Sequence, residues 1–214
     1  MRLRDAAGAE LTGDDLAEVA RARGLLPRID AVKLPRVLRV ARRVKSRGRP
    51  ADVLTSLAGE SLGDNTFIDR FAAELAGSDR VRIVFTFSEA DVRAFGRVHW
   101  QTLEAMADNG VRFALDQVTA LDLDLERLKA AGFDFIKLDA SVFLQGLPAA
   151  GGLIPATDLC RYLSGLGLTL VVARIEDEWA LARVMGFGAL FGQGTLFGAP
   201  RPVRADVLAD AAAA

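Results

Sequence analysis

The chain has 214 residues, 51% of them hydrophobic and 26% charged, with a formal net charge of -1. That length can bury a real core, and the balance excludes a disordered chain and a globally basic nucleic-acid binder. The single cysteine, Cys160, excludes an intrachain disulfide and a cysteine-based metal cluster, while the single histidine, His99, leaves zinc sites and serine nucleophiles without their usual partners.

In chain order, "TGDDLAEVARARG" reads as a capped helix, and a second helix is expected from about Asp30 to Arg47. In the second, Leu34, Val37, Ala41 and Val44 form an apolar stripe, and Lys33, Arg36, Arg39, Arg42, Arg43 and Lys45 cover the rest. Such a face is expected to be the solvated outside of a packed helix, the alternative being an anionic partner such as lipid headgroups or nucleic acid. No aromatic side chain interleaves the cations, so single-stranded bases have no stacking platform.

Beyond it, "ADVLTSL", "RVRIVFTF", "VRFALD", "FDFIKLD" and "LTLVVAR" are short apolar runs with little polar alternation, as strands buried on both faces are. Helical spacing fills the intervals, in "NTFIDRFAAELA", "EADVRAFGRVHWQTLEAMADN", "LDLERLKAAG", "PATDLCRYLSGLG" and "EDEWALARVMGFG". Gly77, Gly110, Gly132, Gly167 and Gly186 are placed to cap these helices. Repeated strand–helix units with right-handed crossovers give a doubly wound sheet or a closed barrel. Neither G-x-G-x-x-G nor a P-loop follows the first strand, and the glycines of "GALFGQGTLFG" fit turns and close packing better than a phosphate cradle. This favours an α/β fold of the (β/α)8, TIM-like kind, with function at the C-terminal ends of the strands. No apolar run approaches the ~18 residues needed to cross a bilayer, and no secretory leader precedes the first helix. A cytoplasmic protein with no membrane insertion is expected, as one domain over residues 1–208 and a flexible tail over 209–214.

Reading each strand to its end selects Ser56, Thr86, the pair Asp116–Gln117, Lys137, Asp139, Arg174 and, in the last "FGQG", Gln193. Elsewhere, Cys160 fits a buried apolar position, His99-Trp100 fits helix packing, and Trp179 is expected to staple its helix to the barrel rather than to anchor a partner. Ser56 and Ser88 have no histidine partner in view, so a serine hydrolase is not expected.

Several of these segments, in order and over nearly the whole chain, resemble the EAL domain family, which hydrolyses the bacterial second messenger cyclic di-GMP on a variant (β/α)8 barrel. "FIKLD" is similar to the family's "IKID", "FGQGTLFGAPRP" to "YGQGYLFSRPLP", "VRFALDQ" to "ALDDFGTG", "LAGESLGDNTFIDRF" to "NLSARSLSDPEF", and "GDDLAEVARARGLLPRID" to "FIPLAEETGLI" and its sequel. The resemblance implies a two-metal site of acidic and amide ligands at the strand ends, and there this chain departs from the pattern. The signature Glu would fall before Met1, Ser56 stands at the Asn position, and Thr86 stands at the next Glu. Asp116 is retained but its partner is Gln117, and Arg174 takes the place of the general base, with Glu176 matching at most the later Glu of that motif. Arg2, Glu89, Asp116, Lys137 and Gln193 match, as phosphate contact, loop anchor and site residues.

One carboxylate beside Lys137 and Arg174 cannot offset two divalent cations ~4 Å apart, and a guanidinium cannot act as a base. The expectation is therefore an inactive EAL-like domain without cofactor, serving as a regulatory or protein-interaction module in bacterial signalling. The alternative is a metal-independent cyclic di-GMP receptor using Arg2, Asp116, Lys137, Arg174 and Gln193, and a third reading is a weak phosphodiesterase. A sealed pocket would pair Arg174 with Asp116 or Glu176. The resemblance also raises a homodimer, with a first strand shortened by where the chain starts; no nucleic-acid partner is expected.

Overall fold

The five apolar runs become strands because Val, Ile, Leu and Phe on both faces need cover on both sides, which a parallel sheet wrapped by helices provides. They are β3 (Val53–Ser56), β4 (Ile83–Ser88), β5 (Arg112–Asp116), β6 (Phe133–Asp139) and β9 (Thr169–Ala173), joined at one edge by the short β10 (Phe191–Gly192). The computed structural model describes residues 3–4, 10–11, 13–46, 52–76, 82–199 and 201; Gly77 and the segment 209–214 lie outside these.

All neighbouring pairs in this six-stranded sheet are parallel, and the strands run in chain order, β3-β4-β5-β6-β9-β10. A doubly wound sheet reverses its strand order at a switch point, and this one does not. Right-handed crossovers in a sequential order place the crossover helices on the same face and curl the sheet, here into a half-barrel with edges at β3 and β10 among the described residues. Two antiparallel pairs that the periodicity misses are separate from it: β1 (Leu3–Arg4) with β2 (Glu10–Leu11), and β7 (Leu147–Ala149) with β8 (Gly152–Ile154). Pairs of two or three residues are too short to leave a period-2 signal.

The helices are α1 (Gly13–Ala22), α2 (Leu26–Ser46), α3 (Asn65–Ala76), α4 (Glu89–Arg93), α5 (Arg97–Asp108), α6 (Leu125–Ala130), α7 (Ala140–Gln145), α8 (Ala156–Gly165) and α9 (Glu178–Gly186), with 3-10 turns at Gly59–Gly63 and Thr195–Phe197. The long helix expected over residues 89–109 is two. Ser88 caps α4 by accepting from the Asp91 amide (3.1 Å), the chain turns at Ala94–Gly96, and α5 begins with the Gly96 amide donating to His99 Nδ1 (3.1 Å). The histidine is thus a local cap that stacks on Phe95 with ring centroids 5.3 Å apart. Gly110, Gly132 and Gly167 take the left-handed conformation expected of caps, but Gly186 is the last residue of α9 and Gly188 (φ 87) makes that turn.

Phe87, Phe113 and Phe133, contributed by β4, β5 and β6, pack with centroids 5.4–6.3 Å apart and are all fully buried. Leu38, Phe67, Leu103, Leu128, Phe143 and Leu159 join this cluster from six different helices. At ~1.5–3 kcal/mol per fully buried side chain, the cluster fixes the register that aligns the strand ends. Cys160 is half-buried against it, and burial pushes its thiol pKa up. Trp179 corrects its expectation: the ring is 64% exposed, with the Arg183 guanidinium 4.8 Å from its centroid rather than the barrel beneath it.

Candidate functional site at the strand ends

Register carries Ser56, Ser88, Asp116 and Asp139 to one rim, because Ser56 pairs with Thr86, Ser88 with Asp116, and Asp139 with Ala173. Asp116 ends β5 and Lys137 lies on the adjacent β6, one step beyond the pairing of Leu115 with Ile136. The Lys137 ammonium donates to Asp116 Oδ2, and the amide of Gln117 donates to Asp116 Oδ1 at 2.8 Å. Both carboxylate oxygens are therefore engaged from within the chain. Gln117 reaches its position with φ 56, an uncommon backbone region for a non-glycine residue.

A cleft of about 720 Å³ opens beside this pair, between α1–α2 and the ends of β3, β4 and β5. Its wall holds a network that periodicity does not reveal. Asp30, only 4% exposed, accepts from the Ala58 amide (2.9 Å) and the Ser61 hydroxyl (2.7 Å) and pairs with Lys33 at 2.6 Å. Lys33 in turn donates to the Ser56 carbonyl. Lys33 thus belongs to the mouth and not to the outer basic face with which it groups by composition; its i,i+3 spacing from Asp30 and its place beside Leu34 are the signal that could have found it. Across the cleft Arg21 pairs with Glu60 (2.7 Å) and Asp91 (3.3 Å).

The loop after β5 is pinned by Glu89, which accepts from the Thr119 amide (2.6 Å) and hydroxyl (3.0 Å) and from Arg93. Burial alone would raise the Glu89 carboxyl, but the Thr119 amide, Arg93 and the Thr119 hydroxyl outweigh it and hold the pKa below the ordinary glutamate value. Arg93 also pairs with Asp122 further along the same loop.

The remaining candidates do not converge here. Arg174 corrects its expectation: its ion pair is with Asp139 (3.4 Å), not Asp116 or Glu176, and its side chain is 70% exposed. It too adopts a positive φ, of 55°. Gln193 lines a separate pocket of about 380 Å³ with Phe197 and Arg201. Arg2 lies outside the described residues. No group of three or more His, Cys, Asp or Glu side chains able to hold a metal ion occurs among the described residues. With Ser56 and Thr86 as hydroxyls, Gln117 as an amide, and Asp116 and Asp139 paired with Lys137 and Arg174, the residues at this rim do not fit a two-metal centre.

No helix is long and apolar enough to cross a membrane among the described residues. A search of curated proteins found no significant match. The solved structures include clear matches, among them the FimX EAL domain of Pseudomonas aeruginosa bound to c-di-GMP, at 23% identity and a TM-score of 0.74 over 93% of this chain and 81% of that one. The Xanthomonas citri FimX EAL domain in complex with c-di-GMP matches at 19% identity and a TM-score of 0.74, over 94% and 80%. The PaMucR phosphodiesterase, c-di-GMP complex, matches at 18% and 0.74, over 97% and 85%. These likenesses establish the TIM-like fold, and the EAL domain model matches residues 1–200, so the chain belongs to the EAL domain family.

Proposed function

We propose that this chain is a non-hydrolytic EAL domain that acts as a regulatory, protein-interaction module. The observation that carries the reading is the set of side chains at the rim, where Ser56, Thr86, Gln117 and Arg174 stand at the positions of the family's ligands and base. A phosphodiesterase that activates water between two divalent cations needs several carboxylates free to bind them, and two hydroxyls and an amide in their place supply too little negative charge. Arg174, which stays protonated, cannot take a proton from water. The interaction role draws support from exposed apolar groups on α9 and at the last strand, where Trp179 is 64%, Leu190 88% and Phe191 53% exposed.

A second reading, a metal-independent receptor for cyclic di-GMP, is favoured by the open cleft next to Asp116 and by the ligand-bound FimX domains to which the chain is similar. Its weakness is charge. The cleft is lined by Arg21 and Lys33 against Glu18, Asp30, Asp91 and Asp116, a poor match for two phosphates.

Calorimetric titration with cyclic di-GMP, once in Mg²⁺ and once in EDTA, separates the readings. Silence in both buffers at high micromolar ligand is expected. Micromolar binding in both would replace the module with the receptor, and metal-dependent turnover would restore the enzyme.

A further inference from the structure

We propose that the outer face of α2 docks on an anionic membrane surface. This goes beyond the regulatory reading and does not depend on it. The helix carries seven cations (Arg28, Lys33, Arg36, Arg39, Arg42, Arg43 and Lys45) and one carboxylate, Asp30, a net of +6 in a chain whose total is -1. All other residues together therefore sum to -7, and the positive charge is segregated onto one element. Asp30, 4% exposed, pairs with Lys33 at the cleft, so the net of +6 is carried by the other six cations of the helix. Solvated surfaces ordinarily mix both signs.

The outer face is regular. Arg28, Val32, Arg36, Arg39 and Arg42 are all exposed and follow one another at helical spacing, over about 21 Å of helix axis. Val32, in the middle of the row, is 51% exposed. An apolar group among arginines suits the boundary between headgroups and acyl chains and contributes nothing against a bare phosphate backbone.

The opposite face is committed to the core: Leu34, Leu38 and Ala41 are 2%, 0% and 4% exposed. A helix packed in this way offers a partner only its outer face. It also lacks the Asn and Gln side chains that read adenine edges. A planar bilayer with anionic headgroups meets each of these conditions, and the contact is electrostatic and peripheral.

The test is co-sedimentation of the whole chain with vesicles of phosphatidylcholine alone or with about one third phosphatidylserine, at low and high salt, with duplex DNA as a parallel probe. Binding is expected only on the anionic vesicles, falling with salt and by about fivefold for each arginine removed in Arg28→Gln and Arg36→Gln. Arg36→Lys, which keeps the charge, should bind as the wild type does, as should Arg161→Gln on α8, whose side chain is 83% exposed at another site. Equal retention on neutral vesicles, undiminished binding by the Arg28→Gln/Arg36→Gln chain, or preference for duplex DNA would each overturn the proposal. Circular-dichroism melts of the variants separate lost binding from lost fold.

Discussion

Asp116 meets the rest of the rim through one ion pair. Its partner Lys137 is 12% exposed and Asp116 itself 26%, so water screens the pair only in part. Removing one member leaves a partly desolvated charge with a single amide donor. Lys137→Met should cost about 1–3 kcal/mol in chemical denaturation, and a second change, Asp116→Leu, should recover much of that loss, since removing both partners costs less than orphaning one. An unshifted midpoint in the single variant would show that the pair contributes nothing to stability. Glu89 makes a different prediction, through pH. Its folded-state pKa is depressed, so its contribution is complete above the ordinary glutamate value of about 4.3 and is lost as pH falls through the folded value. Glu89→Gln should therefore lower stability at neutral pH by about 1–3 kcal/mol, with the gap to wild type closing below about pH 4. Urea midpoints across that range would check it; a gap constant with pH would mean that packing, not charge, holds the loop.

At the scale of the element, the glycines of "FGQG" serve close packing. A Cβ on Gly194 would sit 1.9 Å from the Ile175 carbonyl oxygen, and one on Gly192 would sit 2.9 Å from Ile175 Cδ1. The Ile175 amide donates to the Gln193 carbonyl at 3.0 Å, so the loop lies directly on the chain leaving β9. Gly194→Ala should force the two backbones apart, lowering stability by about 1–3 kcal/mol in thermal melts and loosening amide-exchange protection at Ile175. The neighbouring α9 predicts the reverse. Trp179 is exposed and touches Arg183, so Trp179→Ala should change stability by less than about 1 kcal/mol. That near-neutrality makes it a clean probe of a protein partner, because a loss of binding could not be ascribed to unfolding.

For the whole molecule, sequential strand order gathers the polar strand ends at one rim, and the helices α1 and α2 roof the side where the cleft lies. The rim's chemistry then decides what the fold can do. A metal bound to the native state stabilises it in proportion to the logarithm of its concentration, so millimolar Mg²⁺ or Mn²⁺ should leave the melting temperature within about 1 °C if the rim holds no metal site. A larger upward shift, abolished by Asp116→Asn, would return the chain to the metal-dependent readings.

The sequence alone determined the strands β3, β4, β5, β6 and β9, the barrel-type order of strand and helix, and Asp116–Gln117 as the point where β5 meets the rim. These are local properties: buried runs, helical periods and cap residues write themselves into neighbouring positions. Only the tertiary structure decided which rim groups meet. Lys137 and Asp116 are 21 residues apart and touch because β5 and β6 pair in one register. Arg174 meets Asp139 because the pairing of β6 with β9 sets Asp139 beside Ala173, the residue before it, and Gln193 lines another pocket, next to the edge strand β10. Lys33 reads as one of a run of surface cations until α2 packs on the end of β3 and brings it to Ser56. Periodicity tells which face of an element is buried; pairing between elements depends on register and turn geometry, which no single stretch of the chain encodes.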